Sequence, residues 1–155
     1  MKYEGFIDYL KALGEAHVDI ESIVIGDYED IITRERSDMV YPALWIETPT
    51  VRYIGDNDAV REIYQGAIVI LQNGSNMDPD IVAQNLKDTF VIAREFLFRI
   101  ALYENKMSIT NKQLDAIATL GNDNDQGWRL SFDIEQEFDE TDVCIDFARW
   151  TDIDE

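Results

Sequence analysis

The chain has 155 residues, a length that favours one folded domain covering residues 1–155. Its 32 acidic residues outnumber 13 basic ones and give a formal net charge of −19, which excludes a protein that grips DNA or RNA through phosphate contacts. Hydrophobic residues make up 46% of the chain and aromatic residues 11%, so a disordered polymer is excluded and a packed core is expected.

The apolar runs and the cysteine content of the sequence indicate the cellular compartment of the protein. The sequence has no apolar run near the roughly 20 residues that a membrane span needs. Glu4 and Asp8 stand where a signal peptide would be basic and then apolar. Cys144 is the sole cysteine, which excludes an internal disulfide and agrees with a reducing compartment. We therefore predict a protein that is made in the cytoplasm and contacts no membrane.

The first predicted element is an amphipathic helix over residues 3–16. Its apolar residues recur at spacings of three and four, at Tyr3, Phe6, Ile7, Leu10 and Leu13. The only histidine, His17, follows near the end of this helix. There its imidazolium would favour the helix dipole, or its neutral ring would bond a terminal carbonyl. No second histidine or cysteine lies nearby in the sequence, so we expect a structural residue rather than a metal ligand or a catalytic base.

The next part of the chain predicts several strands. Short strands at 23–25 and 31–33 would flank a turn at Gly26 and Asp27. Clearer strands follow at 40–48 and 63–71, and residues 51–55 are either a further strand or a bulged continuation. Residues 63–71 are rich in β-branched and aliphatic side chains and are predicted to be the central strand. Gly66 within this strand indicates a bulge or close backbone packing.

A long central helix is predicted from Asp78 to about Asn105. Asp78 is a suitable N-cap and Pro79 a suitable first helical residue. Such a helix would have about 26 residues and a length of roughly 39 Å. Phe96 and Phe98 flank its apolar stripe on either side. A second face of the helix is thus available, either for contacts beyond the domain or for covering the first helix.

The remaining strands are predicted at 114–120, 128–138 and 142–150. In the second of these strands, one face carries the apolar residues Trp128, Leu130, Phe132 and Ile134, and the other face carries polar residues. This alternation is typical of a strand with one face exposed to solvent. The fold is therefore predicted to be α+β, a mostly antiparallel sheet with the N-terminal helix and the long central helix packed on one face.

The polar stretch before residue 128 has two interpretations. With Gly127 at position 6 of a calcium loop, Asn122, Asn124 and Gln126 would be ligands and Asp133 would take position 12. The first three are neutral amides, and a strand pattern follows where such a loop needs a helix. We therefore predict a turn between two antiparallel strands, in which Asn, Asp and Gly satisfy the backbone.

No catalytic or cofactor-binding residues are predicted. The sole His and the sole Cys lie at opposite ends of the chain, and the common nucleophile and phosphate-binding motifs are absent from the sequence. The end of the chain is strongly acidic and closes in a short tail, at about 151–155. We place a partner interface at the polar turn and at an aromatic anchor in the acidic end, at Asp123, Asn124, Asp125, Trp128 and Trp150.

Five stretches carry a resemblance to a known family: FIDYLKALGEAH (6–17), YPALWIE (41–47), QGAIVIL (65–71), the helix opened by Asp78 and Pro79, and NDNDQGWRLSF (122–132). In this order they resemble the small tail-terminator, tail-completion and neck (head-tail joining) proteins of tailed bacteriophages, in the versions found among phages and prophages of the Bacteroides group.

The resemblance implies a structural virion protein that forms a ring with copies of itself, commonly a hexamer. The ring would contact tail-tube and connector proteins, and DNA would pass through it. The charge agrees, because an acidic lumen lets a polyanion slide without binding. Two other classes stay open: an acidic inhibitor or DNA mimic that occupies the basic site of a nuclease or toxin, and an enzyme with perturbed carboxylates in a pocket.

Overall fold

The structure is a computed structural model and describes residues 3–34, 39–55, 60–102, 108–121 and 123–137. Within these ranges the elements are, in chain order, α1 (Tyr3–Ala16), β1 (Ser22–Gly26), α2 (Tyr28–Arg34), β2 (Ala43–Glu47), β3 (Thr50–Ile54), β4 (Arg61–Gln72), α3 (Pro79–Leu102), β5 (Ser108–Leu120) and β6 (Asp125–Glu137). The predicted strand at 142–150, the acidic tail, Asn105 and Trp150 lie outside the described residues.

The strands form one six-stranded sheet in the order β1-β2-β4-β6-β5, with β3 also paired to β4. Among the strand pairs of the described residues, β1 and β2 run parallel and the others are antiparallel. Strand β2 pairs with the second half of β4 and β3 with its first half. The predicted α+β class with a mostly antiparallel sheet is confirmed, and the predicted central strand, β4, lies in the middle of the strand order.

Helices α1 and α3 cover one face of the sheet, as predicted. Phe6 and Leu10 of α1 and Phe96 and Ile100 of α3 are buried against alternate residues of the strands, which include Leu44, Ile46, Ile68, Ile70, Leu130, Phe132 and Ile134. Each fully buried side chain of this kind contributes about 1.5–3 kcal/mol relative to exposure. This helix-covered face therefore holds the larger of the two buried clusters, and the period-2 pattern of the strands places its residues there.

The prediction of a strand at 31–33 is wrong, because these residues belong to helix α2. Gly26 ends β1 at φ 146°, and the Asp27 side chain then accepts hydrogen bonds from the N–H groups of Glu29 and Asp30. That is N-cap chemistry, which starts a helix where the sequence pattern indicated a turn between strands. Ile31 of α2 is buried against Trp45, on the face of the sheet opposite α1 and α3.

His17 makes different contacts from those predicted at the end of α1. The Asp19 N–H donates to Nδ1 at 3.2 Å, so Nε2 carries the proton and donates to Glu95 Oε2 at 2.7 Å. The imidazole also stacks on the ring of Phe96, with 5.2 Å between centroids. His17 thus joins the end of α1 to the middle of α3 rather than to a carbonyl of its own helix.

Two local predictions on backbone geometry are resolved. The pairing of β4 with β6 runs through Gly66 without a shift in register, so the glycine marks close packing and not a bulge. A Cβ atom there would lie 2.4 Å from Cζ of Phe6. At α3, the Asp78 side chain accepts the Asp80 N–H at 2.9 Å, which confirms the predicted N-cap.

Candidate functional site

The half of the sheet that α2 leaves uncovered carries polar side chains on the face opposite α1 and α3. Strands β4 and β6 pair there without a shift in register, so their helix-facing residues are apolar and the intervening ones point to the opposite face, whereas β5 has two irregularities in its pairing with β6. It encloses a shallow concavity of about 430 Å³. The polar residues that matter for its chemistry are Glu47, Gln65, Asn111, Arg129, Ser131 and Asp133.

An ion pair lies in this concavity. Arg129 donates from Nε to Glu47 Oε1 and from Nη2 to Oε2, both at 2.7 Å. The bond to Glu47 is the main cause that raises the pKa of the Arg129 guanidinium above its ordinary value. Both oxygens of Glu47 and two of the donors of Arg129 are therefore occupied by each other, and the pair is electrically neutral.

A second carboxylate, Asp133, is held by neutral donors. Its side chain is only 7% exposed, and Asn111 Nδ2 donates to it at 2.8 Å. Gln65 Nε2 lies at 3.4 and 3.5 Å from its two oxygens. Asn111 reaches Asp133 because β5 carries one extra residue between Thr110 and Gln113, and Asn111 adopts φ 52° in that bulge.

A further ion pair stands on the same open face. Arg61 Nη1 lies 2.6 Å from Glu135 Oε1, between the start of β4 and the end of β6. Arg129 and Arg61 are thus each paired with a carboxylate of another strand. The arrangement offers hydrogen-bond acceptors and donors to a partner, but these two guanidinium groups are not free to bind a phosphate.

The predicted partner residues lie at the β5–β6 hairpin and have different surroundings. Asp123 and Asn124 form its turn, with Asn124 exposed at φ 54°. Asp125 is fully buried and accepts hydrogen bonds from the Tyr41 hydroxyl at 2.6 Å and the Gly74 N–H at 3.1 Å. Burial raises the pKa of Asp125, and the two donated bonds partly oppose that shift.

Trp128 is also engaged inside the subunit. Its Nε1–H donates to the Leu86 carbonyl at 2.8 Å, and its ring packs on Phe90 with 4.8 Å between centroids. These contacts fix β6 to α3. The structure thus gives Asp125 and Trp128 interior partners, and whether the exposed tip of the hairpin touches another protein stays a prediction. The last predicted residue, Trp150, is outside the described ranges.

The hairpin itself confirms the turn interpretation of the polar stretch. Residues 125–137 form strand β6, so Gln126 and Asp133 lie along a strand and do not close one loop. Gln126 is buried, and Asn85 Nδ2 of α3 donates to its Oε1 at 2.8 Å. Among the described residues, no three His, Cys, Asp or Glu side chains are arranged to hold a metal ion.

No pattern in the sequence marks Glu47, Gln65, Asn111 and Arg129 as members of a common surface. They come from four different strands, and the register of the sheet brings them together. The one usable signal was the polar alternation of β6, which marked Arg129 and Asp133 as residues of one face.

No protein-family model matches the chain, and no curated protein matches it. Within the part of the chain that the structure describes, no helix has the length and apolar character needed to cross a membrane.

Proposed function

We propose that this chain is a structural virion protein of a tailed bacteriophage, a tail-terminator or neck subunit. Six copies of it would form a ring between the tail tube and the head-tail connector. DNA would pass through that ring. In the virion the chain contacts tail-tube and connector proteins, and before assembly it resides in the host cytoplasm. The proposal involves no catalytic step and no cofactor.

The observation that carries the proposal is the ion pair between Arg129 and Glu47 on the open face of the sheet. A surface beside a DNA passage must not trap phosphate, and each unpaired arginine would do so. Arg129 is held by Glu47 and Arg61 by Glu135, so these two guanidinium groups are occupied by carboxylates and are not available to a phosphate backbone. The formal charge of −19 adds a repulsive field for the same polyanion.

Electron microscopy tests the proposal directly. The purified chain, alone and mixed with phage tail tubes, is expected to form rings with a central hole or caps on tube ends. A protein that forms neither and is absent from purified particles would overturn the proposal. A one-to-one, salt-sensitive complex with a basic nuclease or toxin would instead establish the alternative, an acidic inhibitor or DNA mimic.

The role of the paired arginines has its own test. Exchanging Glu47 and Glu135 for lysine frees both arginines and adds two cations to the open face. We expect this variant to bind duplex DNA in low salt, measured by fluorescence anisotropy, whereas the wild type does not. The matched control exchanges the exposed Asp8 and Glu21 for lysine, with the same change in net charge. Equal DNA binding by both variants would show that net charge alone matters, and not the pairing.

A further inference from the structure

Helix α3 exposes an apolar row on the side away from the core. The side chains of Val91, Phe98 and Leu102 are 52%, 60% and 72% exposed. On the opposite side of the same helix, Ile92, Phe96 and Ile100 are buried in the core. At about 100° per residue, Phe98 and Leu102 lie within roughly 20° of Val91, on either side of it. Three large apolar side chains in one row are more than the scattered exposure of a typical surface.

Charged side chains flank this row with opposite signs. Lys87 and Arg94 lie roughly 40–60° to one side of Val91, and Asp88 and Glu95 lie by the same amount to the other. All four side chains are exposed. The outward face of α3 therefore has a basic flank, a central apolar row and an acidic flank, and its charges balance in a chain that is otherwise strongly acidic.

We propose that this face of α3 binds the same face of a second copy of the chain, with the two helices side by side and parallel about a two-fold axis along them. In that arrangement the basic flank of one helix meets the acidic flank of the other at the same height. Lys87 then lies beside Asp88 of the second copy, and Arg94 beside its Glu95. An antiparallel pair would set each flank against its own kind, which like-charge repulsion disfavours.

The contacts that the charged residues of α3 already make within the chain still allow them to bind a second copy. Asp88 accepts a bond from Gln84 through Oδ1, and Glu95 accepts one from His17 through Oε2, so each carboxylate has a second oxygen for a cation. The Arg94 guanidinium lies 5.7 Å from the ring centroid of Phe90 and 5.9 Å from that of Phe98. It is thereby held along the row that the second copy would cover.

The charge pattern selects a second copy over another partner. Two chains with a charge of −19 repel each other across most of their surfaces, and the outward face of α3 is a place where the charges cancel and apolar side chains are exposed. A two-fold contact is closed, so it differs from the head-to-tail contact that closes a ring. The inference does not depend on the proposed virion role.

Sedimentation velocity of the full chain over a range of concentrations tests the contact. The wild type is expected to dimerise reversibly, and Phe98→Asp to weaken the dimer by about tenfold or more. Val40→Asp is the matched control, because Val40 is 57% exposed but lies outside α3. A monomeric wild type, or equal loss in both variants, would overturn the inference. Hexameric rings without dimers would overturn it while supporting the virion proposal.

Cross-linking tests the orientation and does not depend on how Phe98→Asp folds. In a Cys144→Ser background, Gln84→Cys and Leu102→Cys each place a thiol close to the proposed two-fold axis. Each variant is expected to form a disulfide-linked dimer on mild oxidation. Dimers that cross-link only when the two variants are mixed would show antiparallel helices and overturn the proposed arrangement.

A charge experiment provides a second readout. Lys87→Glu with Arg94→Glu makes both flanks acidic, and Asp88→Lys with Glu95→Lys makes both basic. Neither variant should dimerise alone, whereas a one-to-one mixture should restore a dimer because opposite flanks meet again. Self-association of either variant at wild-type strength would contradict the ion pairing on which the inference rests.

Discussion

Arg129 and Glu47 form a two-point ion pair that spans strand β4, with both N–O distances at 2.7 Å. The two residues lie on one face of the sheet, on β6 and β2. Between them β4 presents two buried apolar residues on this face, Val69 opposite Arg129 in the register and Ala67 opposite Ser131.

The first prediction concerns the energy of this pair. Glu47→Gln and Arg129→Met, made singly and together, should show a coupling of about 0.5–1 kcal/mol, since Arg129 is 38% exposed and solvent screens the interaction. Urea unfolding at neutral pH measures it. The pair of Arg61 and Glu135 is the control, and its coupling should be smaller because Arg61 is more exposed. Additive effects at Glu47 and Arg129 would contradict the prediction.

The second prediction concerns the buried carboxyl group of Asp125. Its pKa in the folded protein is raised above the ordinary value of 3.8, chiefly by burial. Between these two values the folded state binds more protons than the unfolded state, so this group lowers stability as the pH rises. Above the raised pKa the loss is complete and constant, and below the unfolded value it is absent.

Asp125→Asn removes this titration and keeps one acceptor oxygen, for either the Tyr41 hydroxyl or the Gly74 N–H, because these donate to different oxygens of Asp125. The free energy of unfolding of the wild type, minus that of the variant, is therefore expected to fall as the pH is raised from about 4 towards neutral. Denaturant unfolding of both proteins across that range measures the difference, in which the other carboxylates cancel. A difference that rises with pH would show that the Asp125 pKa is lowered by folding instead.

The third prediction concerns the close approach of Gly66 to Phe6. A Cβ at Gly66 would overlap the ring of Phe6, which is fully buried and has little room to move. Gly66→Ala should therefore destabilise the protein by about 1–3 kcal/mol, as overpacking does. Combining it with Phe6→Leu should recover part of that loss relative to the sum of the single effects. Thermal unfolding of the three variants measures this, and simple additivity would argue against the overlap.

Much of the fold could be predicted because local chemistry and tertiary structure agree. The period of β6 assigned Leu130 and Phe132 to the core and Arg129 to the other face, and the structure has this arrangement. The cap at Asp78 and the helical spacing of α1 held for the same reason. These features are set within a few residues of the chain, and no distant contact opposes them.

Helix α2 was not predicted because the residues at its start are typical both of a turn between strands and of a helix N-cap. Gly26 and Asp27 favour a turn between strands, but the same Asp27 side chain caps a helix when the next residues bury Ile31 against Trp45. The β-branched residues that follow favour a strand locally. The contact with a strand some residues downstream decides the outcome, and it is not visible in the local sequence.

The open face was beyond prediction for a related reason. Glu47 and Arg129 are separated by 82 positions, and only the register of three strands makes them neighbours. Asn111 reaches Asp133 because of a bulge in β5 that no pattern in the sequence predicts. His17 likewise bonds Glu95, which is 78 residues away. Polar residues with distant partners look like ordinary surface residues until the sheet is assembled.

The fourth prediction concerns the hydroxyl of Tyr41, which donates to Asp125 Oδ2 at 2.6 Å. Tyr41→Phe leaves the buried carboxylate with one donor fewer, so a loss of about 1–3 kcal/mol is expected at neutral pH. The donated bond lowers the Asp125 pKa, and its removal raises that pKa further. The loss should therefore grow as the pH rises through the wild-type folded pKa, because the variant keeps its proton longer.

The same exchange in the Asp125→Asn background separates this cause from lost packing. With no charge at position 125, Tyr41→Phe is expected to cost less and to show no pH dependence, when both are measured by denaturant unfolding between about pH 4 and neutral. An equal, pH-independent loss in both backgrounds would mean that Tyr41 acts through its ring alone. In that case the buried carboxylate would be stabilised chiefly by the Gly74 N–H, and the turn of the hairpin would be fixed to the segment after β4 by the backbone rather than by the tyrosine.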